Sequence, residues 1–195
     1  MAPRSASPGV KPAATTAIAE RLGIAPASVS GMIRRLGRQG LLVVERYRGA
    51  RLTAKGRRVA LQMIRRHRIL ESFLVTRLGF GWDGVHDEAE RLEHAASPEL
   101  IERMAASLGH PEADPHGAPI PRADDTVDDA RLPTLNDLAV GQQSRVARMS
   151  DRDPALLRYL GELGMRPGVM LRLVDRAPFD GPADTPPEFR KHVSQ

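Results

Sequence analysis

The chain has no cysteine, one tryptophan and few aromatic residues, and it lacks any apolar run long enough to span a bilayer. Without thiols there is no disulfide framework and no thiolate-bound metal, so a transition-metal site must use imidazole, carboxylate or backbone oxygen. No signal-peptide-like apolar core follows Met1, and with no membrane span the expectation is a cytoplasmic protein. HExxH pairs, nucleophile elbows and phosphate-binding loops are missing too, which leaves hydrolytic and nucleotide chemistry without support. Acidic residues are scarce early in the chain: residues 1–68 hold 15 Lys and Arg against only Glu20 and Glu45, whereas the remainder holds 14 against 22. A basic segment of this kind is a candidate polyanion binder, although a solvated basic surface would give the same charge.

The 16 prolines and 17 glycines among 195 residues point to several compact parts separated by connectors. Residues 1–14, rich in Pro, Ala and Ser, read as a disordered tail. "TTAIAERLGI" predicts a short helix capped by Thr and ended by Gly23, and "APASVSGMIRRLGRQG" a second helix stopped at Gly40. "LLVVERYRGARLT" then predicts a hairpin around a Tyr-Arg-Gly-Ala turn, so residues 15–58 form a winged helix-turn-helix. A long amphipathic helix from Ala54 to about Leu78 leads into a helical unit, residues 59–109. Within it Ser97 and Pro98 predict an N-cap and first helical residue. Residues 110–133, dominated by Pro, Asp, Gly and Ala, read as a linker. Residues 134–179 suggest a small strand-rich barrel, and residues 180–195 an irregular tail. The fold class is mainly α with small β parts.

A winged helix-turn-helix can place its second helix in the major groove. Small residues at the start of that helix let its backbone approach base edges. Ala25 and Ala27 can meet thymine methyls, Ser28 and Ser30 can donate to phosphate or bases, and Gly31 leaves the helix face open. Arg34 and Arg35 along the helix, with Tyr47, Arg48 and Arg51 on the wing, would supply phosphate contacts that set affinity without setting sequence. A winged helix used for protein contacts is the plainer alternative.

The stretch "VHDEAERLEH" concentrates histidines and carboxylates. At about 100° per residue, His86, Glu90, Glu93 and His94 fall within an arc of roughly 100°. Val85, Ala89, Leu92 and Ala96 occupy a neighbouring arc that should pack against another helix. On the preceding long helix His67 and Glu71 form an i,i+4 pair, and an antiparallel return through "GFGWDG" could bring the two sets together. Nitrogen and oxygen donors of this kind suit Mn²⁺ or Fe²⁺, with Zn²⁺ and Ni²⁺ as tight competitors. A solvated helix face is the competing explanation.

These residues resemble a known family. "IAERLGIAPASVSGMIRRLGRQGLLVVERYRGARLTAKGRRVAL", "RRHRILESFL" and "VHDEAERLEHAAS", in that order and spacing, are similar to the metal-dependent repressors of the diphtheria toxin repressor and manganese transport regulator family. "LLRYLGELGMRPGVMLRLVDRAPF" resembles the SH3-like, FeoA-type C-terminal domain of its longer members. The resemblance implies a homodimeric transcription factor that binds double-stranded operator DNA with Mn²⁺ or Fe²⁺ as co-repressor. It assigns Glu90, Glu93 and His94 to a primary metal site, and His67, Glu71 and His86 to an ancillary one. A glutamate at position 90, where the toxin-repressor branch has cysteine, leans towards Mn²⁺.

Three departures accompany the resemblance. Family members carry a further helix before the one at Ala17 that lends a primary-site ligand, and no acid precedes Glu20 here. The last barrel strands are not evident after Phe179, and only Gln142 or Gln143 offers itself as that domain's ligand. Gly31 stands where a larger base-reading residue is common. They leave open a constitutive or degraded regulator with an incomplete metal site. A metal-carboxylate enzyme or metal buffer is a third reading, weakened by the single strong cluster beside a basic winged helix.

Overall fold

The computed structural model describes residues 12–45, 47–128 and 130–175. It falls into two compact units. One comprises the chain up to Ile64 with Ala123–Thr126, and the other comprises Arg65–Arg122 with the residues from Val127 onward. Among the described residues no helix is long and apolar enough to cross a membrane.

The first unit begins with α1 (Thr15–Leu22) and α2 (Pro26–Arg38). Gly23 ends α1 at φ 63°, as its sequence position predicts, but the N-cap is Ala14 with no side-chain cap bond, so Thr15 is the first helical residue rather than the cap. Pro26 occupies the first turn of α2, where its missing N–H costs nothing. Ala19, Val29, Ile33 and Ala50 form the core between the helices and the wing. The wing is an antiparallel pair, β1 (Leu42–Glu45) and β2 (Gly49–Leu52), with Val44 opposite Ala50 and Glu45 opposite Gly49. The predicted Gly-Ala turn residues thus lie in β2, and the turn falls earlier, with Tyr47 at φ 65°. Ala13 exchanges two backbone hydrogen bonds with Ala50, so that end of the expected tail is paired; residues 1–11 lie outside the described residues.

α3 (Ala54–Leu78) follows the wing directly. Thr53 is buried, and its hydroxyl donates to the Gly40 carbonyl at 2.7 Å while accepting the Gly56 amide at 3.0 Å. A Cβ at Gly56 would lie 2.0 Å from the Leu41 carbonyl oxygen, so no other residue fits without moving β1. Gly56→Ala is therefore expected to destabilise the winged unit by about 1–3 kcal/mol, the range for overpacking. A thermal melt indistinguishable from the parent chain would contradict this.

In the second unit the later part of α3 packs on α4 (Val85–Glu93) and α5 (Pro98–Ser107) through Ile69, Leu70, Leu74, Val85, Ala89, Ile101 and Ala105. Of the four residues expected on the packed face of α4, Val85 and Ala89 are fully buried and Ala96 joins the cluster, whereas Leu92 is exposed. Ser97 caps α5 by accepting the Leu100 amide, as predicted.

The expected linker is corrected in its first half. Residues 110–122 belong to this core: Ile120 joins the apolar cluster, and Asp114, His116 and Ala118 are buried. The Asp114 carboxylate accepts the amides of His116 and Ala118, folding "ADPHGAP" into a tight turn in place of an extended connector. Arg65 and Arg68 of α3 donate to the Pro121 and Pro119 carbonyls and fasten it. The C-terminal module supplies β3 (Gln143–Arg145) paired antiparallel with β4 (Met170–Arg172), and α6 (Pro154–Glu162), whose N-cap Asp153 accepts from Ala155 and Leu156. The expected 180–195 tail lies outside the described residues.

Candidate metal centre and nucleic-acid interface

His67 and Glu71 stand one turn apart on α3, and His86, in the first turn of α4, faces them. His67 Nε2, Glu71 Oε1 and His86 Nδ1 form a triangle with sides of 3.0, 3.0 and 3.2 Å. No placement of ring protons makes all three sides hydrogen bonds, because an N–H on one imidazole can serve two sides but leaves two acceptors facing each other on the third. Adjacent ligands on an ion with bonds of about 2.1 Å are separated by about 3.0 Å, so the triangle fits a divalent cation. Glu71 is fully buried, which a carboxylate tolerates only when its charge is compensated.

The other Glu71 oxygen faces a second group that sequence reading missed. Among the described residues Glu71 Oε2, His116 Nδ1 and Asp114 Oδ2 are buried without a hydrogen-bond partner, although Arg68 Nε lies 3.5 Å from Asp114 Oδ2. His116 Nε2 donates to the Trp82 carbonyl at 2.7 Å, so in its neutral form the lone pair on Nδ1 faces Glu71 Oε2 at 3.9 Å. A proton on Nδ1 or a bound cation would each satisfy the pair. Asp151 of the C-terminal module completes a three-residue group with ligand atoms all within 4.8 Å, and also lies 3.8 Å from His86 Nδ1. The available signal was the Asp-x-His spacing of Asp114 and His116, hidden in a composition that reads as linker. The residue that the C-terminal module brings to this group is Asp151. Gln142 instead accepts the Ala139 amide within its own turn, and Gln143 pairs in β3.

The remaining predicted ligands are only partly gathered. Glu93 Oε2 is 2.9 Å from His67 Nδ1, so His67 touches both carboxylates through its two ring nitrogens. His94, the C-cap of α4, is exposed with Nε2 3.7 Å from Glu93 Oε1. Glu90 is exposed, and among the described residues neither metal-type group includes Glu90, Glu93 or His94.

Burial disfavours charge on His67, but hydrogen bonds and charge from Glu71 and Glu93 outweigh it and hold its pKa above the ordinary histidine value. Burial likewise opposes charge on Glu71, yet His67, His116 and His86 keep its pKa below the ordinary range. A raised histidine pKa lends the ion-free fold stability that is complete below the unfolded-state pKa and lost as pH rises through the folded one. Cation binding must displace that proton. Mn²⁺ affinity is thus expected to rise with pH through the raised His67 pKa and level off above it, with proton release measurable by calorimetry in two buffers. An affinity flat between about pH 6 and 8 would contradict it.

On the winged unit Ala25, Ala27 and Ser28 are exposed at the start of α2, with Arg34 and Arg35 further along, and the open face at Gly31 has nothing within 4 Å of an added Cβ. The Ser30 hydroxyl bonds back to the Pro26 carbonyl at 3.0 Å. Tyr47 and Arg48 are exposed at the wing tip. Arg51 Nε pairs with Glu45 across the hairpin at 2.6 Å.

Family models match in this order: the iron dependent repressor N-terminal DNA binding domain over residues 5–50, the iron dependent repressor metal binding and dimerisation domain over 53–122, and the FeoA domain over 134–184. The diphtheria toxin repressor of Corynebacterium jeikeium is 32% identical over 180 residues, covering 80% of this chain and 75% of the relative. The chain belongs to the diphtheria toxin repressor and manganese transport regulator family. The iron-dependent repressor IdeR of Mycobacterium tuberculosis is 39% identical over 131 residues, 64% of this chain and 57% of the length of that relative. A solved manganese-dependent transcriptional repressor in complex with manganese superposes with a TM-score of 0.78 at 45% identity, covering 87% of this chain and 78% of that one. The family's three-part architecture of winged helix-turn-helix, helical dimerisation domain and SH3-like FeoA domain is that of this chain.

Proposed function

We propose that the chain is a cytoplasmic, homodimeric transcriptional repressor that binds double-stranded operator DNA, with Mn²⁺ or Fe²⁺ as co-repressor. One observation carries the reading. Glu71, buried on the helix that begins at the wing, presents one oxygen to His67 and His86 and the other to His116, and it gathers with His116 and Asp151 in a second group. His67, Glu71 and His86 would hold one ion, and Glu71, His116 and Asp151, with Asp114 alongside, would hold another. A divalent ion supplies positive charge that these acceptors lack, and it reacts with nothing. Filling the groups ties α3, α4, the 110–122 turn and the C-terminal module together, and α3 is continuous from there to the wing. Glu93 and His94, with Glu90, remain proposed primary-site ligands linked to the centre through His67.

Oxygen-rich donors without thiolate favour Mn²⁺ or Fe²⁺ over softer ions, and the manganese-bound relative supports Mn²⁺. The exposed Ala27, Ser28, Arg34, Arg35 and Arg48 are the proposed groove and phosphate contacts. The incomplete-site alternative has no such support, since the gathered centre and the repressor relatives both favour a metal-responsive protein. The test is anisotropy of labelled palindromic duplexes with Mn²⁺ and with chelator at one salt concentration. Tight binding that chelation weakens is expected, and binding indifferent to chelation would overturn the switch.

A further inference from the structure

We propose that Trp82 is a positioning residue of the Glu71–His116–Asp151 group, fixing His116 through its carbonyl and holding the C-terminal module, and with it Asp151, through its ring. The inference rests on the centre proposed above. Trp82 is the chain's one tryptophan and lies buried in the turn between α3 and α4. Its carbonyl accepts the His116 Nε2 proton at 2.7 Å, which leaves Nδ1 free to face Glu71.

The ring makes a second set of contacts. It stacks on the His116 ring with centroids 5.8 Å apart, and the Arg166 guanidinium carbon lies 4.7 Å from its centroid. Gly161 of α6 packs so closely that an added Cβ would fall 3.1 Å from indole Cζ2. The neighbouring Asp83 pairs with Arg158 of the same helix at 3.0 Å. Beyond the ring, the Met149 amide donates to the His116 carbonyl, and Gly117 packs against the Ala147 carbonyl so tightly that a Cβ there would lie 2.0 Å away. The segment leading to Asp151 is thus laid along the His116 turn. Asp151 comes from a different domain than Glu71 and His116, so its place in the group depends on that docking. Ion binding and docking are then reciprocal: whatever strengthens one strengthens the other.

Simple packing by Trp82 would lower stability without linking the two events, and a double-mutant cycle separates these cases. Gly161→Leu touches no ligand-type residue, and leucine suits α6 better than glycine, yet its side chain must push the ring and helix apart. Mn²⁺ titration of the full chain should show Gly161→Leu weakening the second binding event by about tenfold, the scale of lost outer support, and Asp151→Asn, which removes the ligand itself, weakening it at least as much. The double variant should be no weaker than the weaker single, because both remove the same ligand. Wild-type affinity in either single variant, or losses that multiply in the double, overturns the proposal. Should Gly161→Leu not fold, Arg166→Met gives a milder loss with the same non-additivity, and its multiplying with Asp151→Asn overturns the proposal equally. Loss of Mn²⁺ in Glu71→Gln with wild-type binding in Gly161→Leu rejects Trp82 and keeps the centre, whereas full binding in Glu71→Gln rejects the centre itself.

Discussion

Glu71→Gln is expected to weaken Mn²⁺ binding by about 100-fold or more, beyond the 10–100-fold typical of losing an outer-shell partner, because Glu71 is common to both groups. The substitution keeps size and shape but removes the charge that His67, His86 and His116 share. Its effect on the ion-free fold is secondary, since a buried carboxylate lacking an ion is itself costly. The clean readout is ligand-linked stabilisation: at a free ion concentration of about 100 times the parent Kd the parent chain gains about 2.7 kcal/mol, and the variant gains no more than about 0.4 kcal/mol. A melting temperature that rises equally in both proteins on adding Mn²⁺ would show that Glu71 holds no ion.

Joint replacement of Arg34 and Arg35 by alanine is the second large effect. Both are exposed on α2 and neither is needed by the Val29 and Ile33 core. If each neutralises one phosphate, the slope of log affinity against log salt falls by about 0.9 per residue, or about tenfold in affinity for each near 0.1 M salt. The loss should be uniform across duplex sequences, because phosphate contacts carry no base information. An unchanged salt slope would remove α2 from the interface. Arg51→Ala is expected to have less effect on the slope, since Glu45 already neutralises it.

What the sequence reveals depends on whether the determining contacts are local. The extents of α2 and α3, the left-handed Gly23, and the Ser97-Pro98 start of α5 are local, and each is found where its residues predict, although Val59 and Ile64 of the α3 apolar stripe are exposed. The arc on α4 is local too, which explains why His86 reaches His67 and Glu71. Helical phase does not determine how far a neighbouring helix extends, however, so Glu90 shares the arc and stays in solvent. The 110–122 turn escaped because Pro, Gly and Asp usually report mobility, whereas here the Asp114 carboxylate holds two backbone amides and Ile120 is anchored in the core. Asp151 had no local signal at all, since it reaches the centre only when the C-terminal module docks on Trp82.

The central claim is that ions held through Glu71 set the affinity for DNA. The most direct measurement is duplex binding by the parent chain and Glu71→Gln across a Mn²⁺ titration, repeated at several salt concentrations. Mn²⁺ is expected to tighten binding by the parent chain by about tenfold or more, within the usual range of allosteric coupling, with the salt slope unchanged, and Glu71→Gln is expected to stay at the ion-free affinity up to Mn²⁺ concentrations about 100-fold above those that saturate the parent. Equal Mn²⁺ responses in the two proteins would contradict it.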